Sequence, residues 1–124
     1  MKVTQFTDFS LRLLMYLAQE PDRLVTIGEV AEVYGISSQH LKKVAQSLSG
    51  AGLVKAVPGK KGGLRLACSP TQINLGQLIR RQENLTLLDC AACPLKTCKL
   101  TRLFDQGLSA FLDVFDGKTL ADIV

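Results

Sequence analysis

The chain of 124 residues contains one histidine, His40, and that scarcity removes most enzyme chemistry. There is no Ser/His/Asp or Cys/His constellation around it, and no glycine-rich phosphate loop precedes a helix, so no catalytic reading survives. Long apolar runs are missing as well. No segment approaches the roughly 20 apolar residues that cross a bilayer. The apolar stretch 11–17 is short, carries Arg12 and follows a polar start, unlike a signal peptide. The expectation is a cytoplasmic protein without membrane contact. In that setting the three cysteines gathered in DCAACPLKTC, residues 89–98, indicate metal binding or redox chemistry and not a structural disulfide.

The length suits one domain, or one compact domain with an appended element. Charge divides it. Residues 1–81 carry eleven Lys/Arg against five Asp/Glu, whereas residues 82–124 carry four against six. The first part is the half suited to a polyanion.

Phe6, Phe9, Leu13, Tyr16 and Leu17 recur at helical spacing, and Pro21 closes that helix. Thr26 and Glu29 form a capping-box pattern, with the hydroxyl meeting the Glu29 amide and the carboxylate reaching back. They open a short helix burying Ile27, Val30, Ala31 and Tyr34. Gly35 turns the chain, and Ser37 or Ser38 caps a third helix whose apolar residues are Leu41, Val44, Ala45 and Leu48. Two helices joined by a glycine turn make a helix-turn-helix. The polar face of the third helix presents Ser38, Gln39, His40, Lys42, Lys43 and Gln46, side chains suited to phosphates and base edges.

Two strand-like runs, 53–57 and 64–67, flank PGKKGG. Its glycines permit positive φ and close backbone approach, and Lys60, Lys61 and Arg65 are placed to meet a DNA groove. A helix-turn-helix followed by a basic hairpin is a winged helix. Asn74 then opens a capped helix burying Leu75, Leu78 and Ile79. Beyond Cys98, the residues Leu100, Leu103, Phe104, Leu108, Phe111, Leu112 and Phe115 form an apolar face wider than a small domain covers, which ends at Gly117. Helix-turn-helix proteins commonly pair on palindromic half-sites, so this helix reads as a dimer helix. TLADIV begins a new capped turn, expected to fold back on the long helix.

The segments FTDFSLRLLMYLA, IGEVAEVYGIS and LKKVAQSLSGAGLVKAVPGKKGGLRLA, with the three cysteines and TLADIV, resemble a family of bacterial winged-helix regulators. That family includes the nitric-oxide-sensing repressors (NsrR), the iron-sulfur cluster regulators (IscR) and an iron-responsive branch. The resemblance spans essentially the whole chain. It implies that Cys90, Cys93 and Cys98 hold an iron-sulfur cluster, of the 4Fe-4S type ahead of 2Fe-2S, in a loop leading to the dimer helix. It also implies that Asp8 supplies a fourth ligand from the other subunit, with Asp89 as a second candidate. A helix-dipole role for Asp8 stays open beside this. The C-x2-C-x4-C spacing is tighter than the family usually shows, and Pro58 stands where many relatives have arginine.

The chemistry of the residues agrees with a cluster. Three thiolates can wrap one edge of it and leave one iron for another ligand. Zinc normally takes four Cys or His ligands, and His40 belongs to the third helix. A thiol redox switch is the other alternative. Cys68 reads as a small packed residue.

These readings combine into a mainly α fold with a small β-hairpin. Residues 1–81 form a winged helix-turn-helix domain, 82–98 a cysteine-bearing cluster loop, and 99–124 a dimerisation helix and tail. The expected function is a homodimeric repressor of a palindromic double-stranded operator, controlled by its cluster with nitric oxide as effector. An iron or cluster-status sensor is the alternative within the class. A small iron-sulfur electron carrier or a zinc-stabilised interaction module is the alternative outside it, and neither needs a basic wing.

Overall fold

Thr4 starts the first helix by accepting the Thr7 N–H on its hydroxyl at 3.4 Å. From there α1 runs Gln5–Gln19 in the computed structural model, which describes residues 1–95 and 98–124. Helical spacing turns Leu13, Leu14 and Leu17 to one buried side. α2 (Ile27–Tyr34) ends at Gly35, whose φ of 65° is the left-handed conformation that glycine adopts without penalty. α3 (Ser38–Gly50) is capped by Ser37, which accepts the His40 N–H at 3.3 Å.

Half of the capping box expected at α2 forms. Thr26 Oγ1 accepts the Glu29 N–H at 3.1 Å. The Glu29 carboxylate turns instead to Arg23, whose Nη1 donates at 2.8 Å, and to the Tyr16 hydroxyl. A charge-assisted bond to a guanidinium is stronger than a bond to a backbone amide, and that diverts the side chain.

β1 (Val54–Val57) and β2 (Gly63–Leu66) pair antiparallel, with Lys55 opposite Arg65. Gly59 takes a φ of 99° at the tip. Gly63 is needed for close approach, because a Cβ there would stand 2.9 Å from the Val25 carbonyl oxygen. That contact lets Val25 and Leu64 exchange backbone hydrogen bonds at 2.9 and 2.7 Å, joining the hairpin to the α1–α2 connection.

A short 3-10 turn (Pro70–Gln72) leads to α4 (Leu75–Gln82), where Asn74 accepts the Gln77 N–H at 2.9 Å. α5 (Lys99–Asp116) stops at Gly117 as expected. The tail makes a 3-10 turn (Leu120–Ile123) with a reciprocal Thr119–Asp122 cap. It does not fold back on α5. Leu120 is fully buried in the core with Leu13, Leu41 and Ile73, and its N–H donates to the Ile73 carbonyl at 2.9 Å. An apolar side chain with no exposed surface gains more there than on a helix edge.

Among the buried hydrophobic residues of α5 only Leu112 occurs. The helix is held by its C-terminal end. Arg80 grips the Asp116 carboxylate with both terminal nitrogens, at 3.2 and 2.9 Å, and Asn74 Nδ2 donates to the Asp116 carbonyl at 2.8 Å. Among the described residues, no helix is long and apolar enough to cross a membrane. The architecture is the expected one, mainly α with a two-stranded wing.

Candidate DNA-binding face and cysteine site

Burial of Leu41, Val44, Ala45 and Leu48 leaves Ser38, Gln39, Lys42, Lys43 and Gln46 of α3 exposed. His40 is half-buried, with its ring edge-on to Phe9 at 4.7 Å between centroids. Its imidazole therefore packs α3 onto α1. Lys60, Lys61 and Arg65 are exposed on the wing, and β1 packs directly on α3, so both sets of polar groups ride on one rigid unit. Lys55 was missed by the sequence reading. It is exposed beside Arg65, and strand alternation is the signal that finds it.

The cysteine segment forms a tight turn. The Asp89 carboxylate accepts the Ala91 N–H at 3.2 Å, and the Cys93 N–H reaches the Cys90 carbonyl at 3.2 Å. Cys90 and Cys93 are exposed, Cys98 is half-buried at the start of α5, and all carry free thiols. They line one open cavity of about 650 Å³ together with Asp89, Leu88 and Thr101. The Cys90 sulfur and the Thr101 hydroxyl are 3.9 Å apart. The Thr101 hydroxyl, then the Thr101 and Leu100 N–H groups, hold the Cys98 thiol below its ordinary pKa, although none makes a full cap hydrogen bond to it. Residues 96 and 97 of the expected loop lie outside the described residues.

A soft, three-sulfur donor set in a cavity of this size fits an iron-sulfur cluster. Among the described residues no three His, Cys, Asp or Glu side chains converge as a single-ion site demands. Cys68 stands apart, half-buried against the main core.

Asp8 is partly exposed in the first turn of α1, and its Oδ1 accepts from Arg12 Nε at 2.7 Å. Arg12 in turn lies over the Tyr34 ring at 5.6 Å. Asp8 does not line the cysteine cavity of its own protomer, whereas Asp89 does.

One constellation carried no sequence signal. Glu83, which ends α4 where the cysteine loop begins, accepts hydrogen bonds from the Thr4 N–H and from the hydroxyls of Thr4 and Thr7. Desolvation pushes this carboxyl up, and the threonine donors outweigh it, leaving its pKa below the ordinary value. Gln82 Nε2 adds a bond to Ser10 at 3.0 Å. The partners lie more than 70 residues apart in sequence, beyond the reach of local pattern.

The computed structure superposes on solved winged-helix regulators over nearly its full length. T. potens IscR is 29% identical, with a TM-score of 0.82 over 99% of this chain and 85% of that one. Staphylococcus aureus CymR is 25% identical, with a TM-score of 0.80 over 94% of this chain and 93% of that one. CymR of B. subtilis, the global cysteine regulator, shares the fold at 24% identity, with a TM-score of 0.82 over 99% and 95% of the two chains. Residues 3–124 match the family Rrf2, described as iron-dependent transcriptional regulator, and with that match spanning both the wing and the cysteines the chain belongs to the Rrf2 family of transcriptional regulators, not to an enzyme family.

Proposed function

We propose that the chain is a homodimeric DNA-binding repressor whose operator affinity is set by an iron-sulfur cluster on Cys90, Cys93 and Cys98, with nitric oxide as the effector. The observation that carries this reading is the lining of one cavity by all three thiols at the start of α5. The exposed polar face of α3 and the wing cations Lys60, Lys61 and Arg65 supply groups for phosphates and base edges. When bound, the cluster supplies an iron that reacts with a small diatomic. Asp8 of the second subunit would supply an oxygen ligand to that iron, a weaker donor for it than a thiolate.

The protein's own residues give a route to the DNA-binding half. Glu83 sits at the root of the cysteine loop and grips Thr4 and Thr7, on the helix whose Phe9 packs against His40 of α3. A loop whose thiols no longer held a cluster would loosen that grip and so tilt α3. A shift of about 3 kcal/mol in binding changes operator occupancy roughly a hundredfold.

Anaerobic purification tests the reading. Visible absorbance with matching iron and sulfide is expected in the native chain and in Cys68→Ala, and is lost in Cys98→Ala. Nitric oxide should lower duplex affinity only in proteins that show the absorbance. A native chain with no absorbance after anaerobic reconstitution with iron and sulfide overturns the cluster. A disulfide forming among Cys90, Cys93 and Cys98 under mild oxidant would then identify a thiol switch.

A further inference from the structure

α5 meets the winged-helix body at one end. Arg80 of α4 places its two terminal nitrogens on the two oxygens of Asp116, in the planar fork that a guanidinium and a carboxylate make. The Asp116 carbonyl accepts from Asn74 Nδ2, and just past the helix end the Leu75 N–H donates to the Lys118 carbonyl at 3.0 Å. Gly76 completes the seat, because a Cβ there would stand 2.0 Å from Asp116 Oδ1. α4 itself is held by buried Leu75, Leu78 and Ile79, and Leu78 belongs to the main core.

This ion pair differs from the others. Among the described residues, the remaining pairs join side chains three to six positions apart, whereas Arg80 and Asp116 stand 36 apart and on separate helices. Its side chains are 40 and 38% exposed, so water screens the attraction and the pair adds little to folding. What a bidentate fork fixes is direction, since two parallel bonds resist rotation about either one. The leverage is large. α5 has 18 residues and a length of about 27 Å, so a turn of about 10° at Asp116 moves the Cys98 end by about 5 Å, more than one base-pair step of about 3.4 Å.

We propose that Arg80 and Asp116 are a positioning pair that sets the angle between α5 and the winged-helix body, and with it the spacing of DNA half-sites that the homodimer accepts. Each copy of α3 rides on its own body, and each body is aimed from the dimer helix through its own joint. α3 supplies the contacts to one half-site, and the joint supplies the distance to the next. The proposal rests on the homodimer reading, with α5 as its dimer helix, and assigns spacing to two residues outside α3 and the wing.

The test begins with a palindromic duplex selected from a random-sequence pool by the full chain, purified anaerobically and reconstituted with iron and sulfide. Affinity is then measured for that duplex, for versions with one or two base pairs inserted between the half-sites, and for a single half-site. The native chain should discriminate against the insertions, and Arg80→Ala and Asp116→Ala should each reduce that discrimination about tenfold, the dimer having two joints to relax. Single-half-site affinity should stay within about twofold of native at every salt concentration. The double variant should relax no further than either single one, because both remove the same contact. Should Asp116→Ala fail to fold, Arg80→Lys takes its place, keeping the charge without the fork and relaxing the spacing as Arg80→Ala does. Discrimination absent from the native chain, or unchanged in Arg80→Ala, overturns the proposal alone. A loss of single-half-site affinity with a lower salt slope in Arg80→Ala also overturns it, by making Arg80 a phosphate contact. A selected duplex without a repeated half-site overturns the homodimer reading and the proposal with it.

Discussion

The body built from α1 to α4 and the region from residue 84 to 116 treat their apolar residues in opposite ways. In the body, Thr4, Thr26, Ser37 and Asn74 each cap a helix start, and leucines and valines close into one core. In the second region, α5 follows Cys98 without a side-chain cap, keeps one buried residue, Leu112, and leaves Leu100, Leu103, Phe104, Phe111 and two thiols open. Gln82 Oε1 is buried without a hydrogen-bond partner, but the body otherwise closes most of its apolar side chains into its own core. The second region has the composition of a core and the exposure of a surface, which is how a segment looks when other groups complete it.

The largest expected effect sets the two against each other. Leu14 has no exposed surface, so Leu14→Ala should cost about 2 to 5 kcal/mol of unfolding free energy through lost contacts and a cavity. Leu103→Ala, in a protomer diluted below dimerisation, should change stability by less than about 0.5 kcal/mol. Urea unfolding of both variants at nanomolar concentration checks the contrast. Equal costs would show that α5 belongs to the body after all.

The body was also the legible part of the sequence. Its elements announce themselves locally, by helical spacing in α1 and α3, by the turn at Gly35, and by glycines bracketing the wing lysines. Where local pattern met a competitor it failed, as at Glu29, which leaves the Thr26 cap for Arg23 and Tyr16. The tail failed for a related reason. TLADIV shows a capped turn but not which surface it seeks, and the pairing of Leu120 with Ile73 is set by the packing of distant segments. At the cysteine site, spacing marked the three thiols that share a cavity. It carried nothing about Thr101 beside Cys90 or Glu83 on Thr4 and Thr7, contacts that exist only after α4 and α5 are placed.

A single substitution made on both sides of the seam should sharpen the comparison. A Cβ on Gly76 would stand 2.9 Å from the Asp116 Cα and run into its carboxylate. Gly76→Ala should therefore push α5 away from α4, at a cost of about 1 to 3 kcal/mol. Gly107→Ala should stabilise the protomer by up to about 1 kcal/mol, since it meets nothing and favours the helix. Opposite signs in denaturant unfolding of the dilute protomers are the expected result. The same sign for both would show that α5 is not packed on α4 at Gly76, or that Gly107 is not open in the protomer.

The smallest effect lies on the surface of the body, where even partly exposed charge is satisfied internally. The bonds from Arg23 and then from Tyr16 hold the Glu29 carboxyl down at about 2, from an ordinary 4.5, against the opposing pull of desolvation. A carboxyl with a depressed folded pKa binds its proton more weakly than the unfolded chain does, so it stabilises the fold when ionised. That contribution is fully present above pH 4.5 and fades as the pH falls toward about 2. Glu29→Gln keeps the Thr26–residue 29 backbone cap and removes the charge that Arg23 and Tyr16 address. The difference in unfolding free energy between the native chain and Glu29→Gln should therefore hold level above pH 4.5 and shrink below it. Because Glu29 and Arg23 both reach solvent, salt should narrow the difference at neutral pH. A difference that stays constant down to pH 2 would mean that the ion pair adds nothing to stability and that Glu29 acts only through its backbone.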